Sequence, residues 1–509
     1  MTSVSRRHAL KLAAATALTP GFAYLAACAQ AAGAGESVSE AASVASAADA
    51  SATSSATSAA PELWTQTTTY TLDNIRDYVV GINEKVTLAD GTQQAAICFD
   101  NAATTPVLQP VLDAVSNKLA LYGSIGRGSS QKSEHSAAIC DEVRKKVLSF
   151  VGADPSTQTC FFVGDTTDGM NKLASALVTK DDVVLTTRME HHSNDLPWRE
   201  RCKVVYAEVD ELGRIKYDDI ERLLSENKVS YVTVTAASNV TGYVTDVHRV
   251  AKLAHAYGAK LIVDGAQIVA HRDFSMAGPT PEESVDFFVF SAHKMYAPFG
   301  GGAVVGLTEV LKAHMPQFYG GGIVRIVADD WVAYKEEAPA KYEAGSPNYP
   351  GIVSLGVAID VLKSIGFEAI EQHEQLLMSK LIRGLADLGS VKIYGDTNNI
   401  SDKVGVVTFN PPEVNTAVLA KRLAESYGFA TRRGAFCAHP YVWRLMGIGA
   451  DQLKGFAECT DVNTPGMVRV SFGIYNTEEE VDKFLAVMPE ALEGAKKDAE
   501  KYSRAEPAY

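Results

Sequence analysis

Positive charge is scarce in this chain. Its 509 residues carry 47 Lys and Arg against 61 Asp and Glu, a formal net charge of -14. Nucleic acid and anionic lipid surfaces are held by clustered basic side chains, so neither is an expected partner. Metal-ligand spacing is also missing. The seven cysteines, at 28, 98, 140, 160, 202, 437 and 459, form no Cys-x-x-Cys pair, and none has a His at ligand spacing. That argues against a zinc site, and no metal is expected. Cys98 precedes Phe99, and Cys160 lies in an apolar, strand-like run; both suit buried thiols better than disulfide partners. There is no internal repeat, and the one mixed-charge run, 140–149, fits the solvated face of a helix. What is present is ordinary globular material, 46% hydrophobic and 21% charged, in a chain too long for one core. Two folded lobes are the expectation.

The first thirty residues have the form of an address. Ser5-Arg6-Arg7-His8-Ala9-Leu10-Lys11 matches a twin-arginine export signal. The apolar stretch 12–27 is short and interrupted by Thr16, Thr19, Pro20 and Gly21, which makes it a poor permanent membrane span. It ends in Leu25-Ala26-Ala27-Cys28, which resembles the lipobox of bacterial lipoproteins, where the cysteine is acylated. Residues 1–28 are thus expected to direct export by the twin-arginine route. The mature protein would be lipid-anchored on Cys28 at the outer face of the cytoplasmic membrane or in the periplasm. Residues 29–62, dominated by Ala, Ser and Thr, have no large apolar side chain to offset ordering entropy, and a disordered tether is expected.

After Trp64, short β-rich runs alternate with amphipathic runs of helical length. Strands are predicted at 160–163, 183–186, 204–208, 229–235, 260–263 and 287–291, with helices at 168–178, 217–226 and 247–258 between them. This alternation predicts an α/β fold with a mostly parallel sheet covered on both faces. Ligands of such sheets bind at the carboxyl edge of the strands. A shift to Gly, Pro, Ser and Asn near 339–351 divides an arm and large domain, 63–350, from a smaller α/β domain, 351–509. The latter opens with a long helix expected over 352–388.

Four segments at strand ends carry chemistry. Ser291-Ala292-His293-Lys294 follows a buried strand, where desolvation frees a lysine amine for Schiff-base formation. Asp264 ends the strand Leu261–Val263; it could cap a helix, bind a metal, or hold a cofactor ring nitrogen protonated. Gly164-Asp165-Thr166-Thr167-Asp168-Gly169 joins strand to helix, an anion cradle of amides and hydroxyls. Its two acids would repel a phosphate unless they point away. In Met189-Glu190-His191-His192-Ser193-Asn194 an imidazole stacked on a cofactor ring fits better than a metal pair.

Together with Asp100-Asn101-Ala102-Ala103-Thr104-Thr105-Pro106, Ser238-Asn239, Asp264–Gln267, Glu343–Asn348 and Arg469, these segments stand in the order seen in class V aminotransferase-fold enzymes. The chain resembles most the SufS-type cysteine desulfurases and selenocysteine lyases, over roughly 97–488. The resemblance implies the pyridoxal 5'-phosphate (PLP) transferase fold type I, with a mostly parallel seven-stranded sheet. It implies PLP as cofactor, a homodimer, and L-cysteine as substrate. It further implies that Lys294 joins the coenzyme aldehyde and shuttles the α-proton, and that Asp264 holds the pyridine nitrogen. Gln267 and Asn239 would contact the phenolate oxygen. His191 would stack on the ring and assist protonation. Thr166, Thr167, Ser291 and His293 would hold the phosphate, with Ser346 from the other subunit. Arg469, with Asn239, would bind the substrate carboxylate.

Arg432-Arg433-Gly434-Ala435-Phe436-Cys437-Ala438 resembles the desulfurase segment whose cysteine takes sulfur as a persulfide. Such chemistry needs a thiolate in cationic surroundings, which Arg432 and Arg433 can supply. The family usually has His before this cysteine; here Ala435-Phe436 precede it and His439 follows. The expected function is a cysteine desulfurase forming L-alanine and a Cys437 persulfide. The alternatives are a class V aminotransferase, lyase or epimerase acting on another amino acid, or a non-enzymatic exported binding lipoprotein. No sulfur acceptor is indicated.

Overall fold

The computed structural model describes residues 62–502 apart from 127, 390, 412 and 457–463. The export signal, the lipobox Cys28 and all but the last residue of the tether therefore lie outside the described residues.

Apolar runs alternating with amphipathic ones build one large sheet. Its strands are β1 (Gln158–Val163), β2 (Val183–Thr187), β3 (Lys203–Ala207), β4 (Tyr231–Thr235), β5 (Lys260–Asp264), β6 (Phe287–Ser291) and β7 (Gly302–Leu307). Every residue of β4 and β6 is buried, as strands covered on both faces require. The order across the sheet is β1-β7-β6-β5-β4-β2-β3. Only β7 runs antiparallel, to both β1 and β6, so β1 and the remaining strands point the same way. β7 has no counterpart among the predicted strands, because glycines at 302 and 306 dilute its strand signal. The crossover helices include α1 (Thr166–Leu177), α2 (Tyr217–Glu226) and α3 (Val247–Ala256).

The single long helix expected over 352–388 is instead two. α4 (Tyr349–Ile365) and α5 (Phe367–Asp387) part at Gly366, whose φ of 88° cannot continue a right-handed helix. The break lets the two halves serve different cores. α4 is buried almost all round against the large sheet's helices, whereas α5 turns one face toward a second sheet. That sheet joins β8 (Lys392–Tyr394), β9 (Val406–Asn410), β10 (Arg432–Gly434) and β11 (Met467–Ser471), all antiparallel, in the order β8-β9-β11-β10. α5, α6 (Thr416–Tyr427) and the C-terminal helix from Glu478 close over it, burying Leu381, Phe409, Leu419, Val470 and Phe484 in a core of its own.

Ile97–Cys98 pairs with Phe429–Ala430, and Asp100 bridges to Ser471, which ties the start of the folded chain to β11. Cys140 and Cys160 are buried and Cys98 is half-buried; none of the five described cysteines is in a disulfide. Among the described residues no helix is long and apolar enough to cross a membrane, and no metal-binding cluster occurs.

Candidate active site

The carboxyl ends of β1, β2, β4, β5 and β6 open on one edge of the large sheet. A cavity of about 190 Å³ there is lined by Thr166, Thr167, His191, Asn239, Asp264, Gln267, Ser291, His293, Lys294, Cys437 and Arg469. The fold thus gathers every residue given a role by the resemblance except Ser346, and of the two arginines before Cys437 it brings Arg432, not Arg433, to the cavity. Ser346 is exposed and borders a different cavity, of about 560 Å³, with Gly321, Gly322 and Lys335.

Asp264 is the last residue of β5, in register with Thr235 and Val289. It is buried, and the Ala266 amide donates to its Oδ1 at 2.9 Å. Gly265 beside it is obligatory by space: a Cβ would lie 2.0 Å from the Phe288 ring pressed beneath the loop. Lys294 leaves β6 through a 3-10 turn, Ala292–Lys294. Burial pushes its amine down to about 8; Asp264 draws it back up, and Arg469 adds to the lowering. Burial raises the Asp264 carboxyl, against the pull of the Ala266 amide and of Lys294. Each group feels the other across one enclosed space.

α1 begins at the same edge. Asp165 caps it, accepting from the Asp168 amide at 2.8 Å. Asp168 turns away, accepting from the Gly164 amide at 2.9 Å and pairing with Lys172 at 3.0 Å. The repulsion expected from two acids is thereby reduced to Asp165 alone. Ser291 Oγ accepts from the Thr166 amide and lies 2.7 Å from Thr166 Oγ1. Thr167 Oγ1 lies 2.7 Å from Ser193 Oγ. These hydroxyls and the helix start make a polar rim suited to a phosphate. His293 is held neutral at the rim, pushed down to about 4 by burial and by Lys294, with Asp165 opposing.

His191 is also neutral, pushed down to about 3 by burial, with Lys294, His192 and Arg469 adding. The Ser193 amide donates to its Nδ1 at 3.1 Å, so the ring carries its proton on Nε2. Beneath it, buried Glu190 accepts from Thr187 Oγ1 and Asn194 Nδ2, both at 2.6 Å, and fixes the loop after β2.

Arg469, on β11, is buried with its fork occupied. Nη2 donates to Asp100 Oδ1 at 2.8 Å and Nη1 to the Asn239 carbonyl at 3.0 Å, while Nε has no partner. Asp100 lies within a motif named from the sequence but had no role there. Only the fold shows it, because the pair spans 369 residues and leaves no local pattern. Asn239 has a further duty: its Nδ2 donates to the Phe436 carbonyl at 2.7 Å, tying the turn after β4 to the segment that bears Cys437. Cys437 is exposed at the cavity mouth, close enough to affect the titration of both Lys294 and Arg469.

The residues present fit PLP. An amine is available for its aldehyde, an acid for its ring nitrogen, and a hydroxyl-rich helix start for its phosphate. Gln267 lines the cavity wall, its Nε2 donating to the Ala102 carbonyl at 2.9 Å. A mostly parallel seven-stranded sheet with this lysine and acid at its carboxyl edge defines a PLP enzyme of fold type I. The chain belongs to the class-V aminotransferase family, and within it to the cysteine desulfurases; residues 97–484 match the family described as Aminotransferase class-V. It is 32% identical over 409 residues to a cysteine desulfurase of Haloferax volcanii, covering 78% of this chain and 89% of that one. It is 33% identical over 413 residues to probable cysteine desulfurase 1 of Mycobacterium leprae, covering 78% of this chain but only 62% of that longer protein. The apo structure of a cysteine desulfurase from Thermococcus onnurineus NA1 superposes with a TM-score of 0.72 at 29% identity, over 84% of this chain and 99% of that one. The family is PLP-dependent.

Proposed function

We propose that this protein removes sulfur from L-cysteine, releasing L-alanine and leaving a persulfide on Cys437. The observation that carries the reading is the thiol of Cys437 opening onto the same cavity as Lys294, Asp264 and Arg469. Lys294 would hold PLP through its amine, Asp264 at the ring nitrogen and Gln267 at the phenolate oxygen. His191 would lie on the ring face, and Thr166, Thr167, Ser291 and His293 would hold the phosphate. When bound, PLP supplies an electron sink that weakens the bonds at the substrate α-carbon.

The chain's own groups do the rest. Arg469, which lines the cavity, takes the substrate carboxylate. Lys294, its amine lowered by burial to about 8, takes the α-proton and returns it. The Cys437 thiolate attacks the substrate sulfur. An S–S bond forms and the Cβ–S bond breaks. The bonding pair stays with carbon, which is protonated, and alanine leaves. Assaying alanine and sulfide from L-cysteine plus a thiol reductant tests this. Turnover of other amino acids without sulfide release would favour the alternative class V chemistries.

The lowered Lys294 amine has a kinetic consequence. Only the deprotonated amine captures an aldehyde, so the rate of PLP capture is expected to rise with pH and level off above about 8. Stopped-flow growth of the visible absorption band measures it. A rate still climbing at pH 10 would show an unperturbed lysine.

We also propose a homodimer. Beside Ser346, the hairpin Val324–Val327 and Val332–Tyr334 exposes Ile326, Val327, Trp331 and Val332, near exposed Phe318 and Tyr319. So large an apolar surface supports burial against a second copy. Light scattering is expected to give twice the chain mass; a monomer with full coenzyme occupancy would contradict it. We further propose export and anchoring through Cys28, on the support of the Arg6-Arg7 signal and the lipobox.

A further inference from the structure

Cys437 sits in a backbone conformation that its sequence does not favour. Phe436 and Cys437 have φ of 50° and 53°, consecutive left-handed residues with neither a glycine nor an asparagine. L side chains adopt that region only where the surroundings enforce it. Part of the enforcement is the Asn239 amide on the Phe436 carbonyl. The turn is also closed by the Ala438 amide on the Ala435 carbonyl at 2.8 Å, and further contacts come from one residue. The His192 amide donates to the Cys437 carbonyl at 2.6 Å. The His192 imidazole Nε2 accepts from the amide of His439 at 3.3 Å. His439 opens the helix α7 (His439–Met446), whose start has no side-chain cap of its own from Ala438. The two imidazoles meet edge to face, centroids 4.6 Å apart, and His439 leans in turn on Trp443 at 5.4 Å. His192 thus grips the chain at two points just after the thiol, the Cys437 carbonyl and the His439 amide.

The grip needs a lone pair on Nε2. Burial, with His439 and Arg199, holds the His192 imidazole below the usual histidine range, and Asp195 opposes them. The ring is therefore neutral at physiological pH with Nε2 free to accept. His439 is lowered by burial as well.

We propose that His192 is a positioning residue for the nucleophile: its amide and imidazole together hold the left-handed turn that keeps the Cys437 thiol at the cavity mouth. The proposal rests on the reading of Cys437 as the sulfur acceptor.

The test uses the PLP-loaded protein and two variants. His192→Phe keeps a ring against His439 but has no acceptor, whereas His192→Gln places an amide oxygen where Nε2 lies. Three quantities are read: coenzyme occupancy from the visible band, exchange of the α-hydrogen of L-alanine with D2O, and the single-turnover rate of persulfide formation on Cys437. His192→Phe is expected to leave the first two unchanged and to slow the third about 10- to 100-fold. His192→Gln is expected to recover most of that loss. An unslowed third step in His192→Phe overturns the proposal. So does a parallel fall of all three quantities, or of thermal stability, which would mark His192 as merely structural. A wild-type protein that forms alanine from L-cysteine with no persulfide on Cys437 removes the underlying reading first, and separates its failure from this one.

Discussion

Replacing Lys294 with alanine is expected to abolish the visible band of lysine-joined PLP and to cut alanine formation about 10²- to 10⁴-fold. The lysine lies at the end of a fully buried strand, over an acid that is itself buried. It thus combines two duties, covalent attachment and movement of the α-proton. The fold should survive the change. Burying an amine costs desolvation free energy, which its removal returns, and the loss of its attraction to Asp264 offsets part of that gain. Thermal unfolding is therefore expected to move little while absorbance and turnover collapse. Measuring all three on the same preparation checks this. Full turnover in Lys294→Ala would mean that the cavity is not the catalytic site.

Replacing Cys437 with serine is expected to reduce sulfide release from L-cysteine ~10³-fold or more, because a serine hydroxyl is a far weaker nucleophile than a thiolate at neutral pH. Exchange of the α-hydrogen of L-alanine with D2O should persist, since that step needs Lys294 and not the thiol. The two readouts divide the site along a line drawn in its structure. Asp264 ends strand β5, and Lys294 and His191 lie just past β6 and β2 at the edge of the large sheet; Cys437 comes from the segment after β10 and Arg469 from β11. A Cys437→Ser variant that still released sulfide would leave a class V enzyme of another reaction.

How far the sequence disclosed this arrangement depended on the range of each interaction. The strands were legible because both-face burial writes continuous apolar runs, as in Phe287–Ser291. Asp264 and Lys294 were legible because each ends such a run. β7 was not, since its glycines mask the pattern. Nor was the break at Gly366, where one glycine inside an apolar helical stretch signals either tolerance or a stop, and only packing decides. The Asp100–Arg469 pair and the Asn239–Phe436 tie were out of reach, because each joins residues far apart in the chain through geometry alone. The turn at Phe436–Cys437 was hidden for the opposite reason. Its residues do not advertise a left-handed backbone, and beside the turn's own Ala438-to-Ala435 hydrogen bond the contacts that hold it come from distant His192 and Asn239.

The most direct test of the central claim is mass spectrometry of the PLP-loaded protein after one turnover of L-cysteine, with alanine quantified in the same sample. One added sulfur on the peptide bearing Cys437, equal in amount to the alanine released, is the predicted result. Alanine formed with that peptide unmodified would contradict it.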